Sequence, residues 1–340
     1  MTKLIVQIPC LNEAETLPHT IGAIPREIEG ISRVEILVID DGSTDETATV
    51  AMRCGADHVI RNTANKGLAY SFQRGLDICL TYGADIIVNT DGDNQYCGDD
   101  IVKIVAPIAS GEADIVVGDR QTSEIAHFSP MKKLLQKVGS DVVGRLAGAP
   151  IADAVSGFRA FSRQAALGVT VRSSFSYTTE TLIQAGKKRM TIKSVPIRTN
   201  RVDRPSRLFT SIPNFLVRTG RTMVRAYAMY EPLKIFLCAG AILMLLGSIP
   251  IVRFMIHYVQ GDGAGMIQSL ILGGVLFLMG ALSVMFAMVA DLVAYNRQLL
   301  ELTLERVRKI ETEMDRRPQK KKFPFEKVRK ELEAYSSKSA

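Results

Sequence analysis

Two stretches without a charged side chain, residues 235–252 and 266–290, limit what this chain can fold into more than any other feature. As helices they extend about 27 and about 37 Å at ~1.5 Å per residue, against a hydrocarbon core of ~30 Å. Helices apolar on every side bury themselves in a large core or in a membrane. The short glycine-rich link between the two runs favours a membrane hairpin, with a pair of buried core helices as the alternative. The first run is near the short limit; Leu233 and the snorkelling side chains of Lys234 and Arg253 lengthen it. Gly240, Gly247, Gly273, Gly274 and Gly280 suit close helix contact, although glycine is common in membrane helices anyway.

Charge orients the hairpin. Arg218, Arg221, Arg225 and Lys234 precede it, and Arg297, Arg306, Arg308 and Lys309 follow it. The link 258–265 carries Asp262 and neither Lys nor Arg. By the positive-inside rule both the N-terminal part and the tail face the cytoplasm, which makes this an integral protein of the inner or plasma membrane. Residues 4–8 are too short for a secretory apolar region. The net charge of +7 suits an anionic membrane surface or an anionic substrate. No nucleic-acid-binding motif or aromatic-interleaved basic patch is present. Five cysteines, at 10, 54, 79, 97 and 238, lack paired spacing and read as reduced thiols, neither zinc ligands nor disulfides.

Ahead of the hairpin, strand-like runs at 4–8, 34–39, 58–60, 86–88 and 115–117 alternate with helix-compatible segments at 14–28, 45–54 and 66–81. This alternation predicts an α/β domain with a mostly parallel sheet covered on both faces. Ligands of such sheets bind beyond the carboxyl ends of the strands. Three polar motifs fall there: Pro9-Cys10-Leu11-Asn12-Glu13, Asp40-Asp41-Gly42-Ser43-Thr44-Asp45 and Asp91-Gly92-Asp93-Asn94-Gln95. On an extended strand end, Asp91, Asp93 and Gln95 would point to one side and converge. Three oxygen-bearing groups suit a hard divalent cation, Mg²⁺ or Mn²⁺, that keeps positions open for phosphates. A plain polar turn is the other reading.

Taken in order, these motifs together with Asn65-Lys66-Gly67 and Ser156-Gly157-Phe158-Arg159 resemble the family 2 glycosyltransferases of the GT-A fold. More narrowly they resemble the dolichyl-phosphate mannose synthase and polyprenyl-phosphate glycosyltransferase branch, over roughly residues 1–208. The segment Arg201-Val202-Asp203-Arg204-Pro205-Ser206-Arg207 is similar to that branch's basic segment, with Arg207 where lysine is usual. Leu11 stands where many relatives place a tyrosine near the base. The resemblance implies a nucleotide-sugar site at Pro9, Asn12, Glu13, Asp40, Asp41, Lys66, Asp91 and Gly92. It implies metal ligands at Asp93 and Gln95, and catalytic roles for Asp91, Asp93 and Arg207. Arg120, Lys132, Ser156, Arg159, Arg201, Arg204, Ser206 and Arg207 are the candidates for an acceptor phosphate. Glu13 also reads as a first-turn helix acid and Lys66 as a solvated loop cation. Asp153 and Glu180 match recurring acidic positions whose roles stay open, and His127 reads as a loop histidine or a base.

The expected activity is inverting transfer of one sugar from a nucleotide-diphosphate-sugar to polyprenyl phosphate at the cytoplasmic membrane face. A transferase extending a lipid-linked glycan and a catalytically silent scaffold are the alternatives. The Gln-x-x-Arg-Trp signature of processive synthases is excluded, because the chain has no tryptophan. The expected organisation is a catalytic GT-A domain over 1–210, an interfacial amphipathic helix over 211–232 and a first span over 233–257. An external loop over 258–265, a second span over 266–290 and a charged helical tail over 291–340 follow. The second span should continue as helix to about Arg316. Oligomerisation is left open.

Overall fold

The computed structural model describes residues 2–122, 130–171, 177–200, 230–261 and 267–316. They form two compact units. The first draws on described residues within Met1–Val116, Phe158–Phe175 and from Glu305 onward; the second draws on Val117–Gly157 and Ser176–Leu304. The basic segment at 201–207, most of the expected amphipathic helix at 211–232, His127, residues 262–266 and the tail past Arg316 lie outside the described residues.

The first unit holds strands β1 (Lys3–Cys10), β2 (Arg33–Asp40), β3 (His58–Arg61), β4 (Ile86–Asn89) and β6 (Arg159–Ser162). Its helices are α1 (Leu17–Gly22), α2 (Thr47–Arg53), α3 (Leu68–Thr81), α4 (Ile101–Ala109) and α6 (Arg163–Gly168). Strand β5 (Ile115–Asp119) begins here and ends in the second unit, and the order across the sheet is β3-β2-β1-β4-β6-β5. Strands β1 to β4 are mutually parallel, with Cys10 opposite Asp40 and Gln7 opposite Asn89. β6 alone is shown antiparallel to its neighbour β4, with Asn89 opposite Arg159. β1 and β2 are each buried after their first residue, which is why they read as continuous apolar runs instead of alternating ones.

Helix α3 lies flush on this sheet: a Cβ on Gly75 would collide with the amide of Gln7, itself buried and bonded to Asn89 Oδ1 at 2.9 Å. The five predicted strands and the helices at 45–54 and 66–81 are present with small changes of boundary. The helix expected over 14–28 is confined to Leu17–Gly22. Pro25 biases Ile24 away from helical geometry, and the Ala23 N–H closes the last turn on His19 O.

In the second unit the end of β5 lies beside β7 (Ile192–Pro196), where the Ile197 N–H donates to Asp119 O at 2.9 Å. Helices α5 (Pro130–Ala147) and α7 (Tyr177–Lys187) touch backbone to backbone at Gly186, where any Cβ would overlap the Ala147 carbonyl. Helix α8 (Pro232–Val259) and helix α9 (Ile267–Arg316) are long and apolar enough to cross a membrane, with mean hydropathies of 2.5 and 2.4 in their most apolar windows. Only 11% and 17% of those windows is buried, so neither is a core helix of the described protein. Four of the five glycines are where the two helices meet. A Cβ on Gly247 would stand 2.8 Å from Gly273 O, and one on Gly240 would stand 2.9 Å from Gly280 O. As expected, α9 continues past the uncharged run to Arg316.

At the entrance to α8, Glu231 is paired with Lys187 and, at 3.2 Å, with Lys234. The Lys187 hydrogen bond, against a smaller effect of burial, holds the Glu231 carboxyl below its ordinary value. Beside it, the Arg297 guanidinium lies 4.4 Å over the Tyr230 ring.

Candidate active site

Because β1, β2 and β4 are parallel, their carboxyl ends meet at one edge of the first unit, and the loops that follow are sewn together there. After β1, Asn12 takes a left-handed conformation (φ 54°). Its N–H donates to Ser43 Oγ at 2.9 Å, and its Oδ1 accepts from the Thr44 N–H at 2.8 Å. The next two amides donate to the same β2 loop, Glu13 to Thr47 Oγ1 at 2.9 Å and Ala14 to Asp45 Oδ2 at 3.2 Å. Burial opposes ionisation of Asp45, but hydrogen bonds from Thr47 and Ala14 outweigh it and hold this carboxyl below its usual value.

Asp41 organises a third loop. Its buried carboxylate accepts from Asn62 Nδ2 at 2.6 Å, Lys66 N at 3.0 Å and Gly67 N at 2.8 Å. Gly42 (φ 75°) lets that loop approach, since a Cβ there would come 2.6 Å from the Ala64 carbonyl carbon. Asp40 is fully buried; one oxygen accepts the Ser43 N–H at 2.8 Å, and the other lies 3.2 Å from Arg61 Nε without a hydrogen bond. Lys66 is exposed, its ammonium 4.7 Å from the Tyr70 ring centroid.

The Asp91–Gln95 motif corrects one premise. β4 ends at Asn89, so these residues form a turn and not an extended strand end. Asn94 is left-handed (φ 57°), and the Gln95 N–H returns to Asp93 Oδ1 at 3.1 Å. The turn docks on α1, because Thr16 and Thr20 hydroxyls donate to the Gly92 carbonyl at 2.8 and 3.2 Å. Gly92 has no room for a side chain: a Cβ would stand 2.8 Å from Cys10 Sγ. Burial, with the negative charge of Glu13, Asp40, Asp91 and Asp93, pushes the Cys10 thiol well above its ordinary value. Acidic side chains from the ends of all three strands or the loops after them thus stand around that thiol.

In the first unit, therefore, Pro9, Asn12, Glu13, Asp40, Asp41, Lys66, Asp91, Gly92, Asp93 and Gln95 belong to one interlocked set of strand ends and loops. Arg159 is fully buried on β6. In the second unit Arg120 closes its fork on Asp153 at 2.6 and 3.0 Å. Ser156 is buried there, and Lys132 lies on α5 with its side chain outside the description. Sequence reasoning missed the stitching residues Thr16, Thr20, Thr47, Asn62 and Arg61. Their signal was weak, since Thr near a helix start, Asn after a strand and Arg at a strand end are all ordinary there.

A mostly parallel sheet with loops of this kind at its carboxyl edge is the architecture of the GT-A glycosyltransferases. The solved structure of glucosyl-3-phosphoglycerate synthase from Mycobacterium tuberculosis, in complex with Mn²⁺, UDP and phosphoglyceric acid, matches at a TM-score of 0.50. It shares 20% sequence identity over 67% of this chain and 78% of that one, and its likeness is one of fold. Residues 5–168 match the family described as Glycosyl transferase family 2. An uncharacterized protein of Methanocaldococcus jannaschii is 30% identical over 203 residues, 58% of this chain and 81% of its own. The UDP-N-acetylglucosamine–dolichyl-phosphate N-acetylglucosaminyltransferase of Methanococcus voltae is 29% identical over 214 residues, 56% of this chain and 83% of its own. The chain belongs to glycosyltransferase family 2.

Proposed function

We propose that this transferase moves a single sugar from a nucleotide-diphosphate-sugar to polyprenyl phosphate, with inversion, at the cytoplasmic face of a membrane. The observation that carries the reading is the interlocking of the β1, β2 and β4 loops around one acidic field, in a chain that also bears two apolar helices. The Methanococcus voltae relative, named for a UDP-sugar donor and a dolichyl-phosphate acceptor, supports the substrate classes and leaves the sugar open.

The donor's nucleotide is assigned to Pro9, Asn12, Glu13, Asp40, Asp41, Lys66 and Gly92, with Asp91 at the ribose or sugar. Asp93 and Gln95 would hold Mg²⁺ or Mn²⁺. The donor set fits such an ion, because the turn presents only oxygen-bearing and amide side chains and the surrounding field is acidic. Among the described residues no three His, Cys, Asp or Glu side chains gather as a metal cage, so substrate phosphate oxygens would complete the shell. When bound, the ion supplies positive charge to the departing diphosphate.

The acceptor needs no general base. A phosphate monoester with a second pKa of ~6 is largely dianionic at neutral pH. Its oxygen attacks the anomeric carbon as the bond from that carbon to the diphosphate oxygen breaks, and a nucleoside diphosphate leaves. Two anions must approach each other, so fixed cations are required. Arg207, with Arg201, Arg204 and Ser206, is assigned to the acceptor phosphate, supported by Arg120, Lys132, Ser156 and Arg159. Purified protein given polyprenyl phosphate and a panel of nucleotide sugars should yield a glycosyl phosphoryl lipid by mass spectrometry. Arg207→Ala should cut its formation roughly tenfold to a hundredfold, and Arg207→Lys should retain part of it. A free polyprenol that serves as well as the phosphate, or a fully active Arg207→Ala, would overturn the acceptor assignment.

The same reading makes 1–210 a cytoplasmic catalytic domain, 211–232 an interfacial helix on anionic lipid, 233–257 and 266–290 the spans, and 291–340 a cytoplasmic tail. A cysteine introduced at Asp262 should react with an impermeant thiol reagent added outside intact cells, while one at Ser339 should not. The reverse labelling pattern would refute the orientation.

A further inference from the structure

The described end of α9, from Glu305, belongs to the first unit, and one residue there has an unusual set of partners. Arg308 is 14% exposed. One of its terminal nitrogens donates to the Val169 carbonyl at 3.0 Å and to Thr170 Oγ1 at 3.2 Å, and the other pairs with the Asp77 carboxylate. Asp77, on α3, also accepts from Gln73 Nε2 at 3.1 Å, and Gln73 Oε1 accepts the Val171 N–H at 2.8 Å. Arg308, Asp77, Gln73 and the backbone at 169–171 thus close into a ring of hydrogen bonds joining three elements of one unit. An isolated surface ion pair contributes little, but a guanidinium whose planar fork meets a carboxylate, a carbonyl and a hydroxyl at once is held in place.

This ring is distant from the apolar run along the chain. Arg308 lies about 27 Å along the helix axis past Ala290, at ~1.5 Å per residue, on a helix unbroken from Ile267 to Arg316. The helix it grips, α3, starts directly after the loop that Asp41 holds and lies flush on Gln7 of β1. The charges that follow a membrane span are usually solvated. Arg308 is not.

We infer that Arg308 is a positioning residue: it latches the charged continuation of α9 to α3, so that the helix acts as a strut between the bilayer and the catalytic fold. The inference rests on the proposed function, because a strut matters only if the acceptor is borne by the membrane. A soluble acceptor diffuses to the site wherever it stands, whereas a lipid phosphate is confined to one plane and is reached only at the right height. Geometry of that kind strongly affects rate, since a misplacement of ~1 Å can cost on the order of a hundredfold.

The test uses the full chain in phosphatidylglycerol vesicles. Arg308→Ala, Arg308→Lys and the swap Asp77→Arg/Arg308→Asp are compared with wild type by hydrogen exchange and by steady-state kinetics. The acceptors are a long-chain polyprenyl phosphate in the bilayer and a short-chain, water-soluble one. Arg308→Ala should speed exchange about tenfold at 168–171 and 305–316. It should lower kcat/KM about tenfold for the bilayer acceptor while leaving the soluble acceptor within about twofold of wild type. Arg308→Lys should fall between, and the swap should restore part of both losses. Unchanged exchange, or equal losses with both acceptors, would overturn the strut. A wild type idle with both acceptors would instead overturn the proposed function, and with it the need for a strut.

Discussion

Asp93→Asn should lower sugar transfer by about 10²–10³-fold while leaving the melting temperature unchanged. The fold should survive because asparagine, nearly the same shape, can still accept the Gln95 N–H through Oδ1. What asparagine cannot supply is the charge. Two amide oxygens, from that asparagine and Gln95, would bring no negative charge to a hard divalent ion, so it would bind more weakly and charge on the departing diphosphate would go unbalanced. The variant should still contain the loop network of Asn12, Ser43 and Thr44, and should bind the nucleoside without phosphates at near wild-type affinity. EDTA should silence the wild type and added Mg²⁺ or Mn²⁺ should revive it. Full activity in chelator, or an Asp93→Asn enzyme as fast as wild type, would refute the metal assignment.

The second large effect is on stability. Asp41→Ala removes the acceptor of three hydrogen bonds at once, two of them from backbone amides that have to fold around something. The buried Asn62 amide left unsatisfied costs about 1–3 kcal/mol, while water can reach the part-buried Lys66 and Gly67 amides, so a net loss of roughly 2 kcal/mol is expected. With no tryptophan in the chain, helical circular dichroism is the practical readout of melting. A lower melting temperature should accompany weaker donor binding, because the loop released carries Lys66. Asp41→Asn keeps one acceptor oxygen and should fall between. An Asp41→Ala protein that melts with wild type would show that the three bonds contribute nothing, and would return Asp41 to a purely nucleotide-facing role.

These contrasts mark where sequence reading stops. The strands at 34–39 and 86–88 were legible because a run of Val, Ile and Leu between polar loops has no other place to go than a two-sided sheet. Their true ends, Asp40 and Asn89, were missed by one residue each, since ladder hydrogen bonding continues past the last apolar side chain. β6 was invisible as a strand. Arg159, read in the sequence as a candidate for the acceptor phosphate, opens it and is fully buried beside β4. Asp41 was legible as a functional acid but not as the anchor of Asn62, Lys66 and Gly67, because partners more than twenty residues apart leave no local pattern. Arg308 shows the same limit from the other side. It was counted among the positive charges flanking an apolar run, and counting cannot distinguish a solvated cation from one tethered to Asp77, Val169 and Thr170.

The glycine contacts between α8 and α9 bear on what else this apolar pair of helices can pack against. Gly240 faces Gly280 and Gly247 faces Gly273, so the capacity for intimate backbone approach is spent inside one chain. What remains outward is a coat of flexible side chains such as Leu245, Ile249, Met285 and Phe286, all more than half exposed. Of the glycines on these two helices only Gly274 has no neighbour within 4 Å. A further helix packing on this described pair would meet bulky side chains almost everywhere, and would find room for close backbone approach at Gly274.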